Sequence, residues 1–390
     1  MSGELRATLA AIAQGAAARD ANDENPFAAM DLVRAARIGA VRLPVARGGR
    51  GFSIRQLFAT VIDLAEADPA VAHIVRVHYW FVEGELRRAG SAETAWTAEI
   101  ARGAIFGNAV SELGGAAVGS LKFKTALTPD GAGYRLSGTK YYCTGSLFAD
   151  WISVFAAKDE NTLAAVVVPA DRPGITMLDD WDGMGVRNTG SGTTIFDNVE
   201  VRAAELLGTV RLDVAGTPSY EYAFLQLYLQ AIMAGIMRNV VSDAIGLIKS
   251  RERSFSHAPA ARPAEDPLLQ QVVGQLSALA FAAESTVLAA ADALDAVAAS
   301  VTAGVPDAEL TTLASLRAAQ AKTHVDEIAT RAAALMFEVG GASAASRKKN
   351  LDRHWRAIRT LTLHNPTLYK AQAIGQHLLS GAPFPANGYF

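Results

Sequence analysis

Two short turns of small residues provide the groups best suited to binding a flat polar ligand. The first contains Thr144 and Gly145 and follows the aromatic residues Tyr141 and Tyr142. The second is the run Thr189-Gly190-Ser191-Gly192, further along the chain. Glycine and hydroxyl residues in a turn expose backbone N–H and side-chain O–H groups without a bulky side chain in the way. The two turns therefore indicate a binding site for a flat polar molecule.

Two histidines are candidates for proton transfer, because imidazole gains and loses a proton near neutral pH. His364 precedes Asn365 and Pro366, an order that is also typical of a helix start with Asn365 as the cap. His78 precedes three aromatic residues, and a histidine among aromatics is usually a core residue with satisfied hydrogen bonds. A pocket role and a core role for His78 both stay open. His73, five residues earlier, is assigned no role.

The residues that could bind a metal form no recognisable site. The seven histidines lack the spacing of metal ligands, and Cys143 is the only cysteine. A single cysteine excludes an intramolecular disulfide framework and a cysteine-based metal cluster. We expect Cys143 to be a small buried residue rather than a nucleophile, and we expect no metal.

Hydrophobic periodicity divides the chain into three parts and predicts an α+β fold. Residues 1–103 read as helices, residues 104–210 as a β domain, and residues 211–390 as a helical bundle. The predicted strands are 123–127, 134–136, 151–156, 163–168 and 194–201. The predicted bundle helices are 220–253, 266–303, 307–339 and 344–361, which are long enough for a four-helix bundle. The loop 256–267 is an exposed connection or a lid over a pocket.

Bulk composition limits the classes of partner. Half of the 390 residues are hydrophobic, 19% are charged, and the net charge is −3. A globular protein is expected, and there is no basic patch to suggest nucleic acid. No uncharged apolar segment of eighteen residues occurs, so we expect no membrane span. The amino terminus lacks the apolar run of a secretory signal, and a cytoplasmic setting fits best.

The order of these parts resembles the acyl-CoA dehydrogenase fold, with an N-terminal helical domain, a central β-barrel domain and a C-terminal four-helix bundle. The matching segments are 106–112, 136–145, 184–193, 340–341 and 351–356. Three further stretches, 77–79, 179–181 and 359–366, resemble the flavin-dependent monooxygenase branch typified by dibenzothiophene monooxygenase. The resemblance implies a flavin enzyme and describes its reaction better than its substrate.

The two reaction types of this superfamily differ in whether the site contains a catalytic carboxylate base. A dehydrogenase needs a carboxylate that removes the proton alpha to a thioester carbonyl. The resemblance places that carboxylate either in the segment 362–366 or near Leu225 and Gln226, and neither place contains one. Glu221 lies one turn away and is the main alternative, unless it is a solvated or salt-bridged helix residue. The histidine at position 364 favours an oxygenase.

The resemblance assigns individual roles. It implies that His364 handles protons and that His78 lines the pocket. It also implies that Thr144 donates a hydrogen bond to flavin N5 or to the peroxide, unless it only caps a strand end. The implied flavin contacts are Asn108, Ser111, Thr144, Trp181 and Ser191. Arg251 or Arg253 would bind the flavin phosphate, unless both are solvated surface residues.

The cofactor is expected to be FMN, with FAD as the alternative. Two motifs that grip the ADP half of FAD in the dehydrogenases are altered here, to 251–255 and to 337–341 with Phe337 in place of a glutamine. No dinucleotide fingerprint follows a strand. A separate flavin reductase would then supply the reduced flavin by diffusion. The resemblance also implies a homotetramer.

These observations predict a two-component FMN-dependent monooxygenase. It would use reduced flavin and O₂ to oxygenate a small organosulfur, aromatic or amine substrate through a C4a-hydroperoxyflavin. One alternative is an FAD-dependent acyl-CoA dehydrogenase whose carboxylate is elsewhere in the chain. Another is a helical scaffold that keeps the fold but binds no flavin. Segments 113–119 and 256–267 are where closure over a substrate is expected.

Overall fold

Helices form the first part of the chain. The computed structural model describes residues 3–90, 92–114, 121–213, 219–385 and 390. The seven α-helices before the first strand are α1 Gly3–Ala13, α2 Ala16–Asn22, α3 Phe27–Ala35, α4 Ile54–Ala67, α5 Pro69–Ile74, α6 Arg76–Ala89 and α7 Ala95–Arg102.

The junction between α4 and α5 is built around one buried aspartate. Asp68 ends α4 and also caps α5, because its carboxylate accepts hydrogen bonds from the N–H groups of Ala70 and Val71. Pro69 occupies the first turn of α5, where its missing N–H costs nothing. An ion pair of 2.7 Å to Arg19 compensates the buried charge. These contacts set the direction of α5 and α6, which contain His73, Arg76 and His78.

Eight strands form the middle of the chain. They are β1 Phe106–Ala109, β2 Ala126–Asp130, β3 Gly133–Lys140, β4 Trp151–Asp159, β5 Thr162–Pro169, β6 Ile175–Met177, β7 Thr194–Val201 and β8 Leu206–Arg211. The prediction of β7 is confirmed at both ends, and β1, β6 and β8 are strands that the sequence pattern did not predict.

The strands pair into two halves, in the order β6-β7-β3-β2 and β4-β5-β8, with β1 parallel to β4. The halves are joined through the single residue pair Ala126 and Ala157. Side chains from both halves, such as Leu136, Phe196, Val154 and Val166, share one apolar core. This common core is what the predicted barrel requires, although the end strands β6 and β8 do not pair with each other in the described part of the chain.

The last part of the chain is helical, as predicted, but it contains an additional helix. The helices are α8 Tyr220–Lys249, α9 Pro267–Ala299, α10 Ala308–Leu335, α11 Asp352–Thr362 and α12 Thr367–Ser380. The expected cap at Asn365 is wrong. Pro366 precedes α12 without a side-chain cap, and the Asn365 amide instead donates a hydrogen bond to Gln226.

The two helical parts share one hydrophobic core. Buried residues of α1, α3 and α4, for example Leu5, Met30 and Phe58, belong to the same cluster as buried residues of α8, α9 and α10. The first and last parts of the chain are therefore packed into one unit, while the sheet has its own core.

Two bundle helices, α8 and α9, are long and apolar enough to cross a bilayer by length and composition. In α8 the apolar window is 61% buried by neighbouring helices, which explains its composition. In α9 the corresponding window is only 22% buried, so much of its apolar surface is available for contact with another molecule.

Candidate active site

The two turns of small residues lie against each other in the structure. The Cys143 N–H donates to the carbonyl of Gly192 and the Gly145 N–H donates to the carbonyl of Thr189, each over 3.0 Å. These backbone bonds bring the Thr144 and Ser191 hydroxyls to 2.8 Å from each other. Two of the predicted flavin contacts are therefore neighbours.

Hydrogen bonds continue from Ser191 into the protein. The Ser191 hydroxyl is 2.8 Å from that of Thr189, and the Thr189 hydroxyl donates to the carbonyl of Val186 over 2.9 Å. The indole N–H of Trp181 donates to the same carbonyl over 3.2 Å. Val186 has φ = +46°, which is a strained conformation for a β-branched residue. We call Thr144, Ser191 and Thr189 the hydroxyl chain.

Asn108 and Ser111 hold the neighbouring loop. The carbonyl of Asn108 accepts a hydrogen bond from the Ser146 hydroxyl over 2.8 Å. The carbonyl of Ser111 accepts one from the Tyr141 N–H over 2.9 Å. The Asn108 side-chain oxygen is buried and has no hydrogen-bond partner among the described residues. An unsatisfied buried acceptor of this kind is what a ligand N–H would satisfy.

Helix α5 lies against the first turn. Gly145 has φ = +81°, and a Cβ atom there would lie 2.6 Å from the carbonyl oxygen of Ile74, so only glycine permits this approach. His73, next to Ile74, is buried, and neither of its ring nitrogens has a hydrogen-bond partner among the described residues. Burial, and then the positive charge of Arg76, lower the pKa of His73 to about 3.

His364, in the loop before α12, lies close to Arg76 and His73. His364 as a whole residue is exposed, but its ring contacts a buried side chain, because Nε2 lies 3.4 Å from Nη1 of Arg76, which is 4% exposed. Desolvation by the surrounding protein and the positive charges of Arg76, His73 and two lysines lower the pKa of His364 well below 6.5. Arginine can only donate hydrogen bonds, so Nε2 accepts. The imidazole is therefore neutral and its proton is on Nδ1.

The two positions at which a dehydrogenase would hold its base lie together. Arg76 Nε donates to the Leu225 carbonyl over 3.0 Å, and the Gln226 side chain accepts from that of Asn365. The segment 362–366 and residues 225–226 of α8 are thus adjacent, and neither contains a carboxylate.

Two carboxylates near these positions are paired with cations. Glu221 accepts from Arg87 Nε over 2.6 Å, which favours the salt-bridged interpretation left open above. Asp326 accepts from the buried Lys322 over 2.8 Å, and Lys322 also lies 3.3 Å from the Thr362 carbonyl. Each carboxylate is paired with a positive side chain.

The surroundings of His78 favour the core role. Its Nε2 lies 2.9 Å from the Gly39 carbonyl, and its Nδ1 accepts from the Phe106 N–H over 3.2 Å. The side chain is completely buried, and burial lowers its pKa to about 4. Both nitrogens are used by the backbone, so the expected pocket role of His78 is not supported.

The two arginine candidates differ in their surroundings. Arg251 Nη1 donates to the Val339 carbonyl over 2.7 Å, which joins the end of α8 to the segment before Gly340. Arg253 is exposed and forms no ion pair within the described part of the chain. Arg253 is therefore the better placed of the two to move toward a phosphate group.

The expected closing segments are only partly described. Residues 115–119 lie outside the described residues, and the loop 256–267 ends in a short 3₁₀ turn, Pro263–Glu265. Two cavities have volumes of about 210 and 520 Å³, and neither is lined by residues of the expected closing segments. The smaller one touches Val186 and Asn188, and neither contains Thr144 or His364.

Sequence reasoning missed His73, Arg76 and Val186. Arg76 acts through contacts with residues far away in the chain, which a local pattern does not reveal. Thr189 could have been found, because it stands in the same run of small polar residues as Ser191.

Comparison with known proteins identifies two matching family models. Residues 108–199 match the acyl-CoA dehydrogenase middle domain, and residues 227–367 match the acyl-CoA dehydrogenase C-terminal domain. A dibenzothiophene monooxygenase from Rhodococcus erythropolis is 28% identical, with 95% of this chain and 91% of the relative covered. A probable FMNH₂-dependent monooxygenase from Pseudomonas putida is 29% identical, with 94% and 92% covered.

A solved structure also has the same fold over its whole length. The complex of TdsC from Paenibacillus sp. A11-2 with FMN and indole superposes with a TM-score of 0.88 and 26% identity, and both chains are covered completely. The helical, sheet and helical order of the present chain is thus that of the acyl-CoA dehydrogenase fold.

The lowered histidine pKa values predict that stability falls in acid. The folded protein keeps His73 and His78 neutral, whereas the unfolded chain binds protons below about pH 6.5. Stability should therefore be lost as pH falls below that value. We expect His73→Leu to reduce the loss between pH 7.5 and 5.5 by about 1.4 kcal/mol. Denaturant unfolding at several pH values measures this, and an equal loss in both proteins would contradict it.

The Arg76 contact predicts one tautomer of His364. In ¹⁵N-histidine NMR spectra, we expect His364 to carry its proton on Nδ1 and to remain neutral at pH 6. Arg76→Met removes both the donor to Nε2 and a positive charge, so the tautomers should mix and the pKa should rise. His364→Gln identifies the resonance. A wild-type proton on Nε2 would rule out the proposed contact.

Proposed function

We propose that this chain, which belongs to the acyl-CoA dehydrogenase superfamily, is an FMN-dependent monooxygenase that uses reduced flavin and O₂ to oxygenate a small organosulfur, aromatic or amine substrate. The observation that carries the proposal is the pair of adjacent base positions at 225–226 and 362–366, which contain a neutral histidine and no carboxylate. The similarity to dibenzothiophene and FMNH₂-dependent monooxygenases supports it and favours an organosulfur substrate.

The residues of the two turns fit a flavin. The unsatisfied Asn108 side-chain oxygen needs a donor, and the Thr144 and Ser191 hydroxyls can bond to the polar edge of a ring. Asn108, Ser111, Thr144, Trp181 and Ser191 would hold the ring, and Arg253 or Arg251 the phosphate. Reduced FMN supplies the two electrons that allow one oxygen atom of O₂ to enter the substrate while the other becomes water.

The helical side of the site supplies neutral hydrogen-bonding groups. His364 presents Nδ1–H, and Arg76 fixes this orientation by donating to Nε2. Such a donor can stabilise oxygen atoms that gain negative charge. The buried His73 nitrogens face no protein partner in the described structure, so His73 is a second candidate for contact with substrate or oxygen.

The proposal includes two partners. Reduced FMN would come from a separate flavin reductase by diffusion, consistent with the FMNH₂ dependence stated for the Pseudomonas putida relative. A homotetramer in the cytoplasm is the proposed assembly. Large apolar side chains exposed on the bundle support self-association, because burying them would release ordered water. They include Phe281 on α9 and Leu368, Tyr369, Leu378 and Leu379 on α12.

A reductase-coupled screen tests the function. Purified protein is incubated with NADH, FMN, a flavin reductase and candidate sulfides, sulfones, indoles, phenols or amines, and products are measured by the mass gain of one oxygen atom. Product should form only when the reductase is present. In parallel, butyryl-CoA or isovaleryl-CoA is mixed with the protein and a dye acceptor. Bleaching of the dye would establish the dehydrogenase alternative instead.

The role of His364 is tested by His364→Ala. We expect product formation to fall by a factor of about 10²–10³, the range for loss of one hydrogen-bond donor to a developing oxyanion, while the affinity for reduced FMN changes little. His377→Ala, a half-buried histidine of α12, is the matched control and should keep its turnover. Unchanged turnover of the His364 variant would remove this residue from the mechanism.

A further inference from the structure

We propose that the hydroxyl chain makes the flavin site selective for reduced over oxidised FMN, by fixing Thr144 as a hydrogen-bond acceptor. The inference rests on the proposed function and on the contact between Thr144 and flavin N5 that the resemblance implies. It reverses the expectation, stated from the sequence, that Thr144 donates to that atom. The selectivity would depend on the hydroxyl groups of Thr144, Ser191 and Thr189 and on the carbonyl of Val186.

The direction of the chain follows from its inner end. A carbonyl oxygen can only accept, so the Thr189 proton goes to Val186. Each hydroxyl has one proton, so the 2.8 Å contact between Thr189 and Ser191 requires Ser191 to donate. The same reasoning applied to the 2.8 Å contact between Ser191 and Thr144 requires Thr144 to donate. Thr144 is then left with lone pairs to offer outward.

The inner end is held firmly. Thr189 is completely buried and Ser191 is 6% exposed, so a hydroxyl that lost its partner would lack water as a substitute. The Val186 carbonyl also accepts from Trp181 Nε1, and the backbone bonds of Cys143 and Gly145 fix the two turns relative to each other. Reversing the chain would require the buried Thr189 proton to leave its carbonyl, which costs a hydrogen bond.

The outer end then distinguishes the two states of the flavin by elementary chemistry. Reduced flavin has a proton on N5 and can donate to Thr144. Oxidised flavin has a lone pair on N5, which would face the lone pairs of Thr144. An enzyme that receives reduced FMN by diffusion must take it up among oxidised molecules and must release the oxidised product. A hydroxyl chain whose protons all point inward favours both the uptake of reduced FMN and the release of oxidised FMN.

Two titrations of the purified protein test the proposal. Oxidised FMN is titrated in air, and chemically reduced FMN is titrated under anaerobic conditions, each followed by absorbance or fluorescence. We expect the unaltered protein to bind the reduced form more tightly by about tenfold or more, the size of one hydrogen bond gained and one unfavourable contact avoided. Tenfold corresponds to a rise of about 30 mV in the two-electron potential of bound relative to free FMN.

Variants separate the polarity from the presence of the hydroxyls. Thr189→Val removes the acceptor for Ser191, so Ser191 can donate to Thr144 and free the Thr144 proton for oxidised N5. The ratio of the two dissociation constants should fall by about tenfold. Thr189→Ser should retain the ratio of the unaltered protein. Thr193→Val is the matched control, because its hydroxyl bonds to Asp180 in the same loop and not to the chain.

Each outcome tests either the polarity of the hydroxyl chain or the proposed function. Equal affinities of the unaltered protein for both flavin forms, or an unchanged ratio in Thr189→Val, would overturn the polarity argument while leaving the proposed function in place. If Thr189→Val does not fold, the ratio of the unaltered protein and that of Ser191→Ala, which should also fall, provide the test. Binding of neither flavin form would overturn the proposed function and with it this inference.

Discussion

The buried guanidinium of Arg76 is the contact on which the arrangement of the site depends. Arg76 is 4% exposed, and it donates to the Leu225 carbonyl of α8 and to His364 in the loop before α12. A buried charge is costly unless its N–H groups are hydrogen-bonded, so these acceptors are held in place. Because arginine only donates, the adjoining imidazole must be neutral. One side chain thus sets the position of three elements and the protonation state of His364.

Close backbone contacts bring the sheet and the helices together around this arginine. At Gly145 any Cβ atom would collide with the Ile74 carbonyl, and at Gly185 a Cβ atom would lie 2.2 Å from the Arg356 carbonyl. These two contacts join the sheet to α5 and to α11. Thr144, the outer residue of the hydroxyl chain, is therefore next in sequence to the glycine that contacts α5, the helix that contains His73. Small residues, which suggested a ligand site in the sequence, also determine how the domains meet.

The predictable features were those encoded by local pattern. The α+β class, the helix–sheet–helix order and the strand Thr194–Val201 follow from periodicity, and the joined turns follow from runs of small residues. Short strands such as Ile175–Met177 depend on pairing with a distant neighbour and leave little local signal. The same holds for the pairing of Glu221 with Arg87 and for the backbone bonds of His78. Asn365 follows a local capping rule in the sequence, but a tertiary contact with Gln226 overrides it.

The charges of the site support oxygen chemistry independently of the family resemblance. A dehydrogenase of this fold would use a free carboxylate as its base, and here Glu221 and Asp326 are each paired with a cation. Burial keeps His73 neutral, and burial together with neighbouring cations does the same for His364. What remains around the proposed flavin site, besides Arg76, is a set of neutral donors and acceptors with fixed directions. Such a set can respond to the protonation pattern of a bound ring and can stabilise charge on oxygen.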